Sequence, residues 1–263
     1  MLPLIKRDVR LRLHHGKNLI IAQFSFFLIT TVSFILMFTL NDLNTQMEWL
    51  SFEQFWDGFS ELDLKMFKQD GTLATPYFWL IFQLLYFLSL RTFFTADLTS
   101  SGGLIIIRTG TRKFVMSKVI SLLLYTTIYI ALFVFYICFV SSIQHFLFDS
   151  SMSWKANWET SIIFCIFLIL VLFLESLFYE LASLMMGDII PYIILISVNF
   201  LSIFSQNIVL VTNYTMFSRW SETGLYSDNT LLMLTWVSSM IILLVLLTLW
   251  LVKKIDFVYE KGE

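Results

Sequence analysis

Long apolar stretches separated by polar segments dominate the chain. The hydrocarbon core of a bilayer is about 30 Å thick, so a helix needs about 20 apolar residues to cross it. Six stretches meet that requirement and contain very few charged residues. They lie at about residues 19–40, 76–96, 119–141, 159–181, 190–211 and 231–252. The pattern predicts an all-α polytopic membrane protein with six transmembrane helices in one transmembrane domain, residues 1–263.

The polar segment before the first stretch has a periodicity of its own. Apolar residues recur there at spacings of three or four, at Leu2, Ile5, Val9 and Leu13. Basic residues lie off that stripe, as is typical of an amphipathic helix at a membrane surface. We therefore expect residues 1–18 to form an interfacial helix that breaks from the first span near Gly16.

The longest segment between two spans, residues 41–75, contains a second amphipathic pattern. Its aromatic residues recur at helical spacing with acidic residues between them, and they include Trp49, Phe52, Trp56 and Phe59. This spacing predicts an interfacial helix on the outer surface. The alternative is a loose loop with scattered aromatic residues.

The composition supports a membrane protein and excludes several other classes. Hydrophobic residues make up 58% of the chain and charged residues 14%, and the mean hydropathy is +0.80. One water-soluble domain cannot bury so many apolar side chains, which excludes a soluble enzyme, a disordered protein and a coiled coil. The formal net charge of -2 gives no global basic field, so we expect no nucleic-acid partner.

The distribution of Lys and Arg predicts the orientation in the membrane. With a cytoplasmic N-terminus, 13 of the 17 basic residues lie on the cytoplasmic side. Only Lys65, Lys68, Lys155 and Arg219 lie outside. Because cytoplasmic loops carry an excess of Lys and Arg, we expect both termini and residues 97–118 in the cytoplasm.

The chain carries no recognisable catalytic or metal-binding motif. Its nine glycines never take the spacing of a phosphate-binding loop, so we expect no ATPase activity of its own. The three histidines do not lie among carboxylates at membrane depth, and Cys138 and Cys165 lie inside apolar stretches. We therefore expect no catalysis and no bound cofactor or metal in this chain.

Apart from Glu159 at the first position of the fourth span, three charged residues fall inside the predicted spans, and such residues are functional candidates. They are Arg91 in the second span, and Glu175 and Glu180 in the fourth. One hypothesis is an Arg91–Glu175 contact that locks two helices together. The alternative is that each side chain extends separately towards headgroups or water, because burying an ion pair gains little.

The cytoplasmic segment 97–118 is the most informative part of the sequence. Two glycines precede four consecutive apolar residues, 104–107, and basic residues follow. Four apolar residues on a cytoplasmic loop are typical of a contact surface. The alternative is that they fold back against the membrane interface with Phe114 and Val115.

Segment 97–118 resembles the cytoplasmic loop of ABC-2-type (type V) exporter permeases. It has an acid at the helix exit, a Gly-Gly pair, an apolar patch, then Gly-x-Arg and a Lys. The resemblance implies a coupling helix that docks on a separate ATP-binding subunit, present in two copies, where ATP and Mg bind. The implied coupling residues are Asp97, Leu98, Gly102, Gly103, Leu104, Ile105, Ile107, Arg108, Arg112 and Lys118. One feature departs from the family. The largest outer loop of this chain, residues 41–75, lies between spans one and two, whereas in many members of the family it lies between spans five and six.

This resemblance implies a permease subunit of an ATP-driven exporter in the bacterial cytoplasmic membrane, working as a homodimer or with a similar second permease. Spans rich in Phe, Leu and Ile favour an amphipathic or hydrophobic cargo, such as a bacteriocin-like antimicrobial peptide or a lipid. Two alternatives stay open. One is a substrate-binding subunit of a vitamin importer, and the other is an intramembrane enzyme.

Overall fold

The computed structural model describes residues 1–40, 55–56, 58–71, 76–90, 97, 103–148, 158–205, 207–221 and 228–254. No β-strand occurs in these ranges, and the fold they form is all-α. Their helices are α1 (Leu2–Leu40), α2 (Glu61–Asp70), α3 (Tyr77–Leu90), α4 (Gly103–Thr109), α5 (Thr111–Phe148), α6 (Trp158–Met186), α7 (Ile189–Phe204), α8 (Ser218–Ser221) and α9 (Thr230–Lys254). A 3-10 helix, Val211–Thr215, lies between α7 and α8.

Three of these helices contain segments long and apolar enough to cross a membrane. The segments are Thr111–Ile143 in α5, Glu159–Met186 in α6 and Thr230–Lys254, which is the whole of α9. Helices α3 and α7 are apolar but shorter, with 14 and 16 residues. At 1.5 Å per residue, the 38 residues of α5 measure about 57 Å, well beyond the thickness of a bilayer core.

Helix α1 is continuous, without the break expected near Gly16. Gly16 instead lies against α5, and a Cβ at this position would stand 3.1 Å from the hydroxyl oxygen of Tyr125. The absence of a side chain therefore allows the two helices to approach closely. The buried face of this segment also differs from the apolar stripe, because Asp8, Arg12 and Gly16 are buried whereas Leu2 is exposed.

Two further helix ends differ from the predicted spans. Helix α5 begins at Thr111, directly after Gly110, so Lys118 lies inside a helix rather than in a loop. Helix α7 ends at Phe204, several residues before the predicted end, because the chain becomes extended at Ser205. The residues that follow turn back into the protein, where those from 212 to 220 are buried.

Hydrogen bonds between α1 and α5 define their relative direction. The contacts join Asp8 to Lys118, Gln23 to Tyr129 and Thr31 to Tyr136. Because the residue numbers of both partners rise together, the two helices run parallel. Val252 near the end of α9 clusters with Phe114 and Val115 of α5. The first turns of α1 and α5 and the last turn of α9 therefore lie at the same end of the bundle.

Aromatic side chains fill the middle of the bundle. Trp56, Phe82 and Phe133 are fully buried. The ring centroids of Trp56 and Phe82 are 4.4 Å apart, and those of Phe82 and Phe133 are 5.0 Å apart, both in edge-to-face arrangements. Such pairs contribute favourable quadrupole interactions in addition to their burial. The residues just before α2 are thus part of the core.

Candidate functional site

Charged side chains from distant parts of the chain meet at the end of the bundle where α1 begins. This charge cluster consists of Arg7, Asp8, Arg12, Asp97, Lys118 and Glu180. All except Arg7 are buried. Among the described residues, three cations thus face three carboxylates. Buried charges in proteins are paired in this way because an isolated one is very costly.

Lys118 lies at the centre of the first half of the charge cluster. Its Nζ is 3.2 Å from Oδ1 of Asp8 and 2.5 Å from Oδ2 of Asp97. Nη2 of Arg7 completes a ring, at 2.6 Å from Asp8 and 2.8 Å from Asp97. The Ser117 hydroxyl donates a further hydrogen bond to Asp8 over 2.7 Å. The carboxylates of Asp8 and Asp97 thus each lie between the same two cations. Through Lys118, both α1 and Asp97 are connected to α5.

The second half of the charge cluster joins α1 to α6. Nη1 of Arg12 is 2.9 Å from Oε1 of Glu180, and Nε of Arg12 donates to the hydroxyl of Ser121 over 3.3 Å. Arg12, Lys118 and Glu180 also line one small cavity of about 10 Å³, which is room for one water molecule. Any displacement of α1 along its axis must therefore break contacts with both α5 and α6.

The predicted intramembrane charges have different surroundings. Glu180 pairs with Arg12, so the expectation that it extends alone towards headgroups or water is wrong. Glu175 is buried, and its Oε2 has no hydrogen-bond partner among the residues that the structure describes. Arg91 lies outside the described residues, and its contact with Glu175 stays a prediction.

The predicted coupling residues separate into a buried and an exposed group. Asp97 and Lys118 belong to the charge cluster, whereas Ile107, Arg108 and Arg112 are exposed. Ile105 and the backbone of Gly103 lie on helix α4. The residues Leu98 and Gly102 lie outside the described part of the chain, as does the side chain of Leu104.

Helix α4 packs against the bundle through two neighbouring apolar side chains, of which Ile106 is buried and Ile105 is partly buried. Ile106 clusters with Phe114, Val115 and Val252. This contact agrees with the alternative interpretation of the apolar patch, in which its residues fold back together with Phe114 and Val115. Ile107, by contrast, is 74% exposed. The left-handed φ of 83° at Gly110 separates α4 from α5, so the two helices change direction at one residue. Within the apolar patch, Ile106 therefore holds α4 against the bundle, and Ile107 is accessible from outside.

Two of the four aromatic residues predicted for the outer interfacial helix are buried rather than on the surface. Trp56 and Phe59 are fully buried, and Trp56 is helical whereas Phe59 is not; α2 begins only at Glu61, after an N-cap at Ser60. The backbone oxygen of Trp56 accepts a 2.7 Å hydrogen bond from the N–H of Phe217. Helical spacing of aromatic residues cannot distinguish a membrane-facing stripe from a buried one. Trp49 and Phe52 lie outside the described residues.

Arg219 is a buried residue that the sequence patterns did not single out. Its guanidinium donates to the backbone oxygens of Ser202, Ile203 and Ser205 at the end of α7 and to that of Phe59. A cation at a helix C-terminus satisfies unpaired carbonyls and interacts favourably with the helix dipole. Arg219 therefore fixes the early end of α7 against the segment that precedes α2.

Asp8 and Arg12 are also residues of the charge cluster that the sequence patterns did not single out. The signal was present in the spacing of Asp8, Arg12 and Gly16 by four residues, which places them on one face of α1. Polar residues that continue along one face of an apolar helix, here Gln23 and Thr31, indicate a face that contacts protein rather than lipid.

Neither metal ligation nor similarity to known proteins identifies the site. Among the described residues, no three His, Cys, Asp or Glu side chains come together as possible metal ligands. Comparison of the chain with protein-family models, with curated proteins and with solved structures finds no match. The fold thus defines a class, an all-α protein with helices able to cross a membrane, and the function is argued from the chain's own residues.

Proposed function

We propose that this chain is a permease subunit of an ATP-driven exporter of the ABC-2 type. In this proposal six helices cross the bacterial cytoplasmic membrane, and the charge cluster lies at the cytoplasmic end. Energy comes from a separate ATP-binding subunit, because the sequence lacks a phosphate-binding loop. The cargo is an amphipathic or hydrophobic molecule, such as an antimicrobial peptide or a lipid.

The observation that carries the proposal is the junction between α4 and α5. Helix α4 presents an exposed apolar residue, Ile107, beside exposed Arg108. One residue, Gly110, connects this short helix to α5, which is long enough to cross a membrane. A partner that pushes on α4 would therefore act directly on a membrane-spanning helix.

The charge cluster provides a path from that junction to the rest of the bundle. Lys118 in α5 holds Asp8 of α1, and Arg12, one helical turn further along α1, holds Glu180 of α6. Rigid elements joined by ion pairs can transmit a displacement only if the pairs persist during the movement. We infer that α1, α5 and α6 move together when the partner acts on α4.

A charge placed on the exposed face of α4 tests the proposal. Ile107→Glu should leave the fold intact, since the side chain is exposed, and should detach the ATP-binding subunit. Desolvating an unpaired charge costs at least several kcal/mol, which corresponds to a loss of affinity of about a thousandfold. The measurement is co-purification of an ATP-binding subunit from the native membrane, together with the ATPase activity of the complex.

Leu2→Glu is the matched control. Leu2 is another exposed apolar residue at the same end of the bundle, but it lies on α1 rather than α4. The control should keep the ATP-binding subunit and its ATPase activity. An Ile107→Glu variant that retains both would show that α4 is not the coupling element. A wild-type chain that purifies without any ATP-binding subunit would overturn the exporter proposal itself.

A further inference from the structure

Exposed cations surround the place where the first turn of α5 meets the last turn of α9. Val252 of α9 packs with Phe114 and Val115 of α5. Each cation lies within two residues of a member of this buried cluster, so the backbones that carry them are close together. The four exposed cations, which we call the basic patch, are Arg112, Lys113, Lys253 and Lys254.

The basic patch is not neutralised by the described part of the chain. None of its four cations forms an ion pair with a described carboxylate. The carboxylates of the charge cluster, at the same end of the bundle, are already paired with the cations of that cluster. Lys254 contacts an aromatic ring instead, and its Nζ lies 4.0 Å from the ring centroid of Trp250.

Exposed apolar side chains continue along both helices from the basic patch. On α9 they recur at helical spacing at Trp250, Leu247 and Leu243, and on α5 they include Leu124 and Ile128. Both helices contain segments able to cross a membrane. Basic residues at the end of such a helix, with a tryptophan one turn further in, are typical of the boundary between headgroups and acyl chains. The pattern indicates that the basic patch lies at the level of the headgroups.

We propose that the basic patch binds an anionic phospholipid, whose phosphate contacts cations of both helices and whose acyl chains lie along the exposed apolar residues. Anionic lipids attract Lys and Arg near the membrane surface, and Arg112 can donate two hydrogen bonds to one phosphate. The exposed cations Lys6 and Arg10 are one turn apart on the single helix α1, whereas the basic patch presents cations from two helices. The site does not depend on the exporter proposal.

Two lipids with the same acyl chains separate the charge from the apolar contact. Dioleoylphosphatidylglycerol is anionic, whereas dioleoylphosphatidylcholine is zwitterionic. Native mass spectrometry of the purified full chain in neutral micelles measures the binding of each, and the wild type should prefer the anionic lipid. In the double variant Lys113→Gln, Lys254→Gln, the affinity for the anionic lipid should fall by about 20–30-fold, since each cation contributes about fivefold. The affinity for the zwitterionic lipid should stay within a factor of about two.

The double variant Lys6→Gln, Arg10→Gln is the matched control. It also removes two exposed cations at the same end of the bundle, but from α1. The control should bind the anionic lipid as the wild type does. If a diffuse positive charge attracted the lipid, the two double variants would lose the same affinity. All four substituted side chains are exposed, so both variants should fold, and thermal unfolding checks this.

Trp250 reports the location of the bound lipid, because its half-exposed ring contacts Lys254 of the basic patch. Anionic lipid with bromine atoms in its acyl chains should quench the tryptophan fluorescence more strongly than the brominated zwitterionic lipid. This difference between the two lipids should be lost in Trp250→Phe.

Four results would overturn the proposal. The first is a wild type without preference for the anionic lipid, as expected if carboxylates of the chain itself neutralise the basic patch. The second is an equal loss of affinity in the two double variants. The third is a difference in quenching that persists in Trp250→Phe, which would place the lipid elsewhere. The fourth is unchanged lipid binding by Lys113→Gln, Lys254→Gln together with loss of a protein partner, which would make the basic patch a protein contact.

Discussion

Removing one partner of the Arg12–Glu180 pair should destabilise the protein far more than removing both. In Arg12→Leu, the Glu180 carboxylate stays buried without the guanidinium that lies 2.9 Å away. In Glu180→Leu, the guanidinium loses that same carboxylate. The double variant Arg12→Leu, Glu180→Leu replaces both charges by apolar side chains of a size suited to the interior, so the pair is removed as a whole.

The magnitude follows from the burial of both side chains. Breaking a buried ion pair by removing one partner costs roughly 3–5 kcal/mol, whereas replacing both by apolar residues is often neutral or stabilising. For a chain of this size, each kcal/mol corresponds to a shift in Tm of about 2–4 °C, so each single variant should lose roughly 6–20 °C. The double variant should recover most of that loss. Ser121 keeps a partner in all three, since its hydroxyl donates to the backbone oxygen of Lys118.

Thermal unfolding in micelles, followed by circular dichroism or tryptophan fluorescence, measures these shifts. A double variant as unstable as the sum of the two single variants would refute the reasoning, because the two side chains would then act independently. Single variants with the Tm of the wild type would show that the pair is solvated. If the exporter proposal holds and the pair also transmits movement, the double variant should fold but stimulate ATP hydrolysis by the proposed ATP-binding subunit poorly.

Two further predictions concern the segment around α2 and the orientation of the chain in the membrane. Gly58→Ala should destabilise the protein by more than Gly71→Ala. Both positions have a left-handed φ, which costs about 1–2 kcal/mol for alanine. Only at Gly58 would the added Cβ also stand 2.5 Å from the side chain of Met216. Comparative thermal unfolding checks this, and equal shifts would contradict the packing. In a background without Cys138 and Cys165, an impermeant thiol reagent added to intact cells should label Lys68→Cys but not Ser100→Cys, and labelling of Ser100→Cys would reverse the orientation.

The sequence predicts the helices well where apolar length alone decides them. The spans around 159–181 and 231–252 lie within α6 and α9, because a long apolar stretch has no alternative structure of comparable stability in a membrane. Helix ends were predicted less well. Gly16 was interpreted as a break, yet it serves a close approach to Tyr125, which depends on a residue more than 100 positions away.

The candidate site was only half predictable from the sequence. Asp97, Lys118 and Glu180 were singled out individually, but their partners Asp8 and Arg12 lie in a segment that was interpreted as a surface helix. Periodicity finds the apolar face of a helix and does not show whether that face meets lipid or protein. In a membrane both faces of a helix can be apolar, and polar residues mark the face that packs against other helices.

The distribution of polar contacts indicates which interfaces of the bundle can move. From Lys118 to Tyr136, about 27 Å along α5, polar side chains bond α5 to α1, and Thr126 and Ser176 both contact the hydroxyl of Tyr86. Between α3 and α7, by contrast, no hydrogen bond joins the described residues, and an apolar cavity of about 150 Å³ separates parts of the two helices. Apolar contacts can slide with little loss, whereas each buried hydrogen bond must be replaced. We therefore expect the α3–α7 interface to open before the α1–α5 interface does.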